Sequence, residues 1–139
     1  MKSLRTLLKL ARRDLETLRR ALAEQIAKQT AIQDRILGHE QTIKDEQKAA
    51  LRDYESARAY GGYAAAALAI RRALAAESDA IGEEIGRLRT LIAEAHVETR
   101  KFERLIELEE ERAKNAADKR ENAELDEFAT MTAARTSSR

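Results

Sequence analysis

Apolar residues recur at alternating steps of three and four along two stretches of this chain. The first stretch is Leu4, Leu8, Ala11, Leu15, Leu18, Leu22, then Ile32, Ile36 and Ile43. The second is Ile81, Ile85, Leu88, Ile92, Ala95, then Phe102, Ile106, Ala113 and Ala116. A repeat of about 3.5 residues held this long places the apolar side chains on one seam of a helix, and that seam needs another helix to cover it. Between the stretches lies Tyr60-Gly61-Gly62-Tyr63, which holds the only adjacent glycines in the sequence. A glycine pair between two periodic runs reads as a turn. The pattern therefore predicts an all-α chain: a long antiparallel two-helix coiled coil, or α-hairpin, over residues 1–139 as a single domain. Helix one is expected over about 3–58, the turn over about 59–63, and a longer helix two over about 64–133, followed by a frayed C-terminal tail. Ser3 is the candidate N-cap of helix one. The other reading of the same pattern is one continuous helix that dimerises between chains.

Composition agrees with long helices. Charged residues make up 37% and aromatic residues 4%, with no Trp and no Pro. Ala, Leu, Glu, Arg and Lys dominate, as in coiled coils. The absence of proline leaves no residue that removes a helix donor. No Cys occurs, so neither a disulfide framework nor a Cys-based zinc site is available. No apolar stretch approaches the length of a membrane span, so no direct membrane insertion is expected. The basic, amphipathic start from Met1 to Leu10 could serve as a transit peptide or a membrane-surface helix. Against this, Asp14 and Glu16 follow at once and the same seam runs on to Ile43.

The charges are sorted along the chain. Residues 1–40 hold nine Lys/Arg and five Asp/Glu; residues 77–111 hold five Lys/Arg and eleven Asp/Glu. A nucleic-acid binder would be uniformly basic, so no nucleic-acid partner is expected. Two segments of opposite sign read as surfaces that meet each other or meet different partners. A turn at Gly61-Gly62 makes facing residues total about 123 or 124 in number. Arg12 and Arg13 then lie beside Glu109-Glu110-Glu111, and Gly38 lies level with Gly86, with Gly82 one turn away. Three glycines at one level suggest close helix approach or a compliant zone. Residues beyond about Arg120 have no partner in that register. Polar seam residues Gln25, Gln29, His39 and Thr99 read as devices that fix register at some cost in stability.

Enzyme chemistry is not legible. His39-Glu40 lacks the second histidine of a metalloprotease helix, and the expected register keeps His96 away from His39. Gly61-Gly62 is not followed by the Lys-Ser/Thr of a phosphate loop, and no Ser sits in a nucleophile elbow. The carboxylates are spaced as on a solvated helix face. No cofactor and no metal are expected.

Two features stand apart from the seam. Gln47, Leu51, Tyr54 and Arg58 are spaced four, three and four along one flank of helix one. Ala66, Ile70, Ala73 and Glu77 repeat that spacing on helix two. In the expected register Gln47 faces Glu77, Leu51 faces Ala73, Tyr54 faces Ile70 and Arg58 faces Ala66, which would make one recognition surface. The alternative is that Leu51 and Tyr54 merely wrap the seam near the turn. The second feature is Leu125-Asp126-Glu127-Phe128-Ala129, which runs on to Ala133-Ala134-Arg135 past the expected end of the overlap.

These residues carry a resemblance. The chain resembles the FliJ family, the small coiled-coil stalk proteins of the bacterial flagellar type III export apparatus. The matching residues are Gln47, Leu51 and Tyr54, the stretch from Tyr63 to Ile70-Arg71-Arg72-Ala73, and the Leu125-to-Ala129 ending with its Ala-Ala-Arg. The chain departs from the family pattern at Arg58, where a second tyrosine is common, at Ala66, where an aromatic is common, and near Glu77, where a histidine is common. The resemblance implies a non-catalytic stalk at the cytoplasmic, inner-membrane face of the flagellar base. It implies binding to the hexameric export ATPase ring and to the cytoplasmic domain of the export gate, and contact with export chaperones. It assigns Gln47, Leu51, Tyr54, Arg58, Ile70, Ala73 and Glu77 to the gate, and Leu125, Asp126, Glu127 and Phe128 to the ATPase ring. The equivalent stalk of a virulence type III secretion system and a generic dimeric coiled-coil spacer are the alternatives.

Overall fold

The computed structural model describes residues 2–137. It contains two α-helices: α1, Lys2–Ala50, and α2, Tyr54–Ser137. They pack against each other as an antiparallel α-hairpin, with the second helix the longer one. The chain divides into two compact units, Met1–Arg13 with Ala95–Arg139, and Asp14–Glu94.

Within the unit Asp14–Glu94 the 3-4 repeat read from the sequence supplies part of the seam, and Ala67 and Leu74, outside that repeat, supply more of it. Leu15, Ile32, Ala67, Leu74, Ile85 and Leu88 are buried, and Ile32 is only 2% exposed. Burying an Ile or Leu side chain this completely is worth about 1.5–3 kcal/mol. Gln25, Gln29, Ile36, His39 and Ile43 continue the stripe as half-buried positions. His39 Nε2 lies 3.0 Å from the Ala67 carbonyl oxygen. A carbonyl only accepts, so the imidazole N–H donates and fixes the tautomer. This seam polar group is therefore paired across the two helices. Arg35 Nη1 reaches Glu77 Oε2 at 3.4 Å.

Within the unit Met1–Arg13 with Ala95–Arg139, Leu8, Ala11 and Thr99 are buried. Leu4, Phe102 and Ile106 are half-buried. Thr99 removes its hydroxyl from competition by donating it to the Ala95 carbonyl one turn back, at 2.9 Å. Arg5 pairs with Glu110 at 3.3 Å and Arg12 with Glu103 at 3.4 Å. The basic start thus meets the acidic stretch, but not at the expected positions.

The turn is the main correction. The chain breaks at Leu51-Arg52-Asp53, and Gly61-Gly62 lie inside α2. Both ion pairs above total 115 in residue number, Arg35–Glu77 totals 112 and His39–Ala67 totals 106. All fall short of 123–124, so Arg12 meets Glu103 instead of the Glu109-to-Glu111 run. The same shift removes the level shared by Gly38 and Gly86. A Cβ added at Gly38, Gly82 or Gly86 would meet nothing within 4 Å, so close helix approach is not their role.

The reason for the earlier break is local. Asp53 Oδ1 accepts the Ser56 backbone N–H at 2.6 Å, and Ala57 N–H bonds to the Asp53 carbonyl at 3.2 Å. Asp53 is therefore the N-cap of α2. The end of α1 tightens into a short turn, with Leu51 N–H reaching the carbonyls of both Gln47 and Lys48 and Arg52 N–H that of Ala49. No residue of the connection needs a positive φ, so glycine is not required there. Tyr60 and Tyr63, on either side of the glycine pair, are half-buried and share a small cleft with Ile43 of α1. Each helical glycine costs about 1 kcal/mol relative to alanine.

Three smaller expectations also change. Ser3 lies inside α1, which already includes Lys2, so it is not the N-cap. Ala113 and Ala116 continue the stripe but are exposed. By the register of Arg5 with Glu110, Ala113 falls level with Lys2, the first residue of α1, and Ala116 lies beyond it. The tail is helical to Ser137: Thr136 Oγ1 donates to the Thr132 carbonyl at 2.9 Å and Ser137 Oγ to that of Ala134 at 3.1 Å. Ser138 and Arg139, also assigned to the frayed tail, lie outside the described residues.

Candidate functional site

Two surfaces carry the residues singled out from the sequence. The first surrounds the turn. Gln47 sits in the last turn of α1, Leu51 in the connection, and Tyr54 and Arg58 in the first turns of α2. Leu51 is 89% exposed and Tyr54 is 76% exposed. Neither wraps the seam, so the alternative reading of these two residues is excluded. The Arg58 guanidinium carbon stands 6.0 Å from the Tyr54 ring centroid, at the outer limit of a cation–π contact. The group thus presents an aliphatic side chain, an aromatic ring and a cation to solvent beside the Asp53 cap.

Ile70, Ala73 and Glu77 do not join this group. They lie on the same helix as Tyr54, not across from it. Tyr54 and Ile70 are separated by 16 positions in one helix, which is about 24 Å along the axis and about 160° around it. The pairing of Leu51 with Ala73 and of Tyr54 with Ile70 rested on the glycine turn and fails with it. Ile70 is half exposed and Ala73 exposed. The Glu77 carboxylate is occupied by Arg35. The seven residues therefore form two separate groups.

Near the turn the seam holds an unpaired polar group. The Tyr63 hydroxyl is buried without a hydrogen-bond partner. Loss of hydration pushes its phenol above the ordinary tyrosine value, and the charges of Glu46, Tyr60 and Asp45 push the same way. Its ring stands 6.1 Å from that of Tyr60, tilted by 37°.

The second surface is the end of α2. Every residue from 111 to 137 is exposed and helical. Leu125 is 58% exposed and Phe128 69%, with Met131 beside them. Phe128, Ala129, Thr132 and Ala133 line a shallow open groove. Asp126 and Glu127 carry the acidic character between Leu125 and Phe128, and both are exposed. A helix this exposed gains nothing from tertiary packing, so it is available to a partner.

Sequence reasoning missed two things. One is the Asp53 cap, whose signal is an acidic side chain three residues before Ser56. The other is a set of off-seam leucines, Leu7, Leu10, Leu105 and Leu108, visible as apolar residues beside the seam on both helices.

Among the described residues, no group of three or more His, Asp or Glu side chains is arranged to hold a metal ion. Among the described residues, no helix is long and apolar enough to cross a membrane. The family model described as Flagellar FliJ protein matches residues 1–138. No curated protein and no solved structure gives a significant match.

Proposed function

Because the chain belongs to the flagellar FliJ protein family, we propose that it is a non-catalytic stalk of the flagellar export apparatus that binds the export ATPase ring through the end of α2. The family is one of non-enzymatic flagellar export proteins, and the chain's role lies in flagellar protein export. The observation that carries the finer reading is the unbroken exposed helix over residues 111–137, with Leu125, Asp126, Glu127 and Phe128 on it. A helix end with no cover from its own chain, bearing an apolar pair among carboxylates, suits insertion into a polar-rimmed central channel.

The turn group Gln47, Leu51, Tyr54 and Arg58, with the separate group Ile70, Ala73 and Glu77, would meet the cytoplasmic domain of the export gate. Export chaperones are further partners in this reading. The protein then works in the cytoplasm, peripherally at the inner-membrane face of the flagellar base. It has no catalytic step of its own; it would act by promoting ring assembly and coupling ring to gate. The family description favours the flagellar system over a virulence secretion system. Ion pairs between the two helices of one chain argue against a simple intermolecular spacer.

The test is co-purification with the hexameric ATPase, paired with ATP hydrolysis assays. The full chain should be retained and should stimulate hydrolysis. A chain ending at Arg120, which keeps the whole α1–α2 overlap, should do neither while remaining helical. A truncated chain that stimulates fully would overturn the assignment of this end.

A further inference from the structure

The ion pairs Arg5–Glu110 and Arg12–Glu103 define one edge of the two-helix seam in the unit Met1–Arg13 with Ala95–Arg139. At about 100° per residue, Arg5 and Arg12 lie within about 20° of each other, on one side of the Leu4, Leu8 and Ala11 stripe. Leu7 and Leu10 lie on the other side of that stripe. On α2 the same geometry repeats. Glu103 and Glu110 flank one side of Phe102 and Ile106, and Leu105 and Leu108 flank the other. In an antiparallel pair, the flanks that share this sense face the same way. The observed ion pairs prove it for the charged edge, and so the four leucines share the opposite edge.

This edge is apolar and open. Leu10 is 47% exposed, Leu7 43% and Leu105 38%, and Leu108 is half-buried. One turn past Leu108 stands Arg112, exposed and without an ion pair among the described residues. One turn before Leu105 stands Lys101, which is held by Glu98 at 3.2 Å. The α2 side of the edge therefore reads cation, leucine, leucine, cation, and only the cation at Arg112 is unengaged.

The complement of that pattern is on the same chain. Glu121, Leu125, Phe128 and Thr132 fall within about 60° of one another on a single face of the exposed end of α2. Leu125 and Phe128 have the same three-residue spacing as Leu105 and Leu108. Glu121 precedes Leu125 by four residues, as Arg112 follows Leu108 by four. Run antiparallel, the stripe sets Leu125 on Leu108, Phe128 on Leu105 and Glu121 on Arg112. Run parallel, Glu121 would meet Lys101, which already has a partner. Two leucine edges set face to face would instead oppose cation to cation, Arg112 of one copy against Lys101 or Arg112 of the other.

We propose that this leucine edge is a docking surface for a second copy of the chain, which inserts its Glu121, Leu125 and Phe128 stripe antiparallel to α2. The inference goes beyond the export reading and does not depend on it. Each contact uses different surfaces on the two copies, so it is heterologous and leaves a free stripe on one copy and a free edge on the other. Association then does not stop at a dimer. It shares Leu125 and Phe128 with the proposed ring-binding end, so the two engagements exclude each other.

Sedimentation velocity on the full chain, from micromolar to millimolar protein, tests this. The average mass should rise from the 15.7 kDa monomer past twice that value without a plateau, and should fall as salt is raised. Leu105→Glu removes the edge and Phe128→Glu removes the stripe, and each alone should stay monomeric and helical. Mixed one to one, they should form a complex capped at two chains, because one supplies the stripe and the other the edge. A chain that stays monomeric throughout overturns the proposal. So does association that survives Phe128→Glu, or a mixture that fails to combine.

Discussion

Asp53 Oδ1 accepts the backbone N–H of Ser56 at 2.6 Å, and this single bond begins the longer helix. The Ser56 backbone bond is the largest influence on the Asp53 carboxyl, followed by the Ser56 side chain, and they hold it below the ordinary aspartate value of 3.8. The charged carboxylate is thus favoured in the folded state. A depressed folded pKa contributes stability that is fully present above the unfolded value. It is lost as pH falls through the lower folded value. Thermal unfolding followed by circular dichroism should therefore show part of the acid destabilisation between pH 5 and pH 2 disappearing in Asp53→Asn, which keeps an acceptor at the cap but cannot titrate. Asp53→Ala should lower the melting temperature at neutral pH as well. Equal pH dependence in wild type and Asp53→Asn would remove the carboxylate from this role.

Gly61 and Gly62 give the opposite result from turn glycines. Both are helical, neither has a positive φ, and a Cβ at either would meet nothing within 4 Å. Alanine should therefore stabilise at each position by up to about 1 kcal/mol. The double substitution should raise the denaturant midpoint without changing the slope, since the surface exposed on unfolding is nearly unchanged. Had the chain reversed at these glycines, the same substitutions would destabilise it.

The glycine pair also explains how far the sequence could be read. The seam was legible because each buried position repeats at steps of three and four, from Leu8, Ala11 and Leu15 to Ile85 and Leu88. Helix content, pairing sense and the meeting of a basic start with an acidic stretch followed from it. The turn was not legible from the same pattern. The apolar stripe runs through Ala50 and resumes by Tyr60 without a phase signal strong enough to mark the break. A helix end there is decided by one cap hydrogen bond, and a cap weighs little against an adjacent glycine pair when only composition is read. Misplacing the turn by about ten residues left each helix face intact but changed which residues meet. Properties of a single helix therefore survived, such as the exposure of Leu51, Tyr54, Leu125 and Phe128. Properties that need a register, such as the joining of Leu51 with Ala73, did not.

That distinction separates the two groups that the proposed reading places at the export gate. Leu51 lies in the turn and Tyr54 opens α2, whereas Ile70 and Ala73 lie farther along α2 on another face. A single compact gate contact can use one group but not both. The turn group is the more exposed and combines Leu51 with an aromatic and the Arg58 cation. Such side chains dominate binding energy when they are buried at an interface. Leu51→Ala with Tyr54→Ala should therefore weaken binding of the gate's cytoplasmic domain by at least tenfold, a loss of about 1.4 kcal/mol or more. Ile70→Ala should change it less than threefold. Neither substitution touches a buried seam residue, so both variants should keep wild-type helicity and melting temperature. Calorimetric titration of each variant against the purified gate domain reads the difference. Equal losses from both sites would require a partner that wraps around α2, and a loss confined to Ile70 would move the gate contact away from the turn.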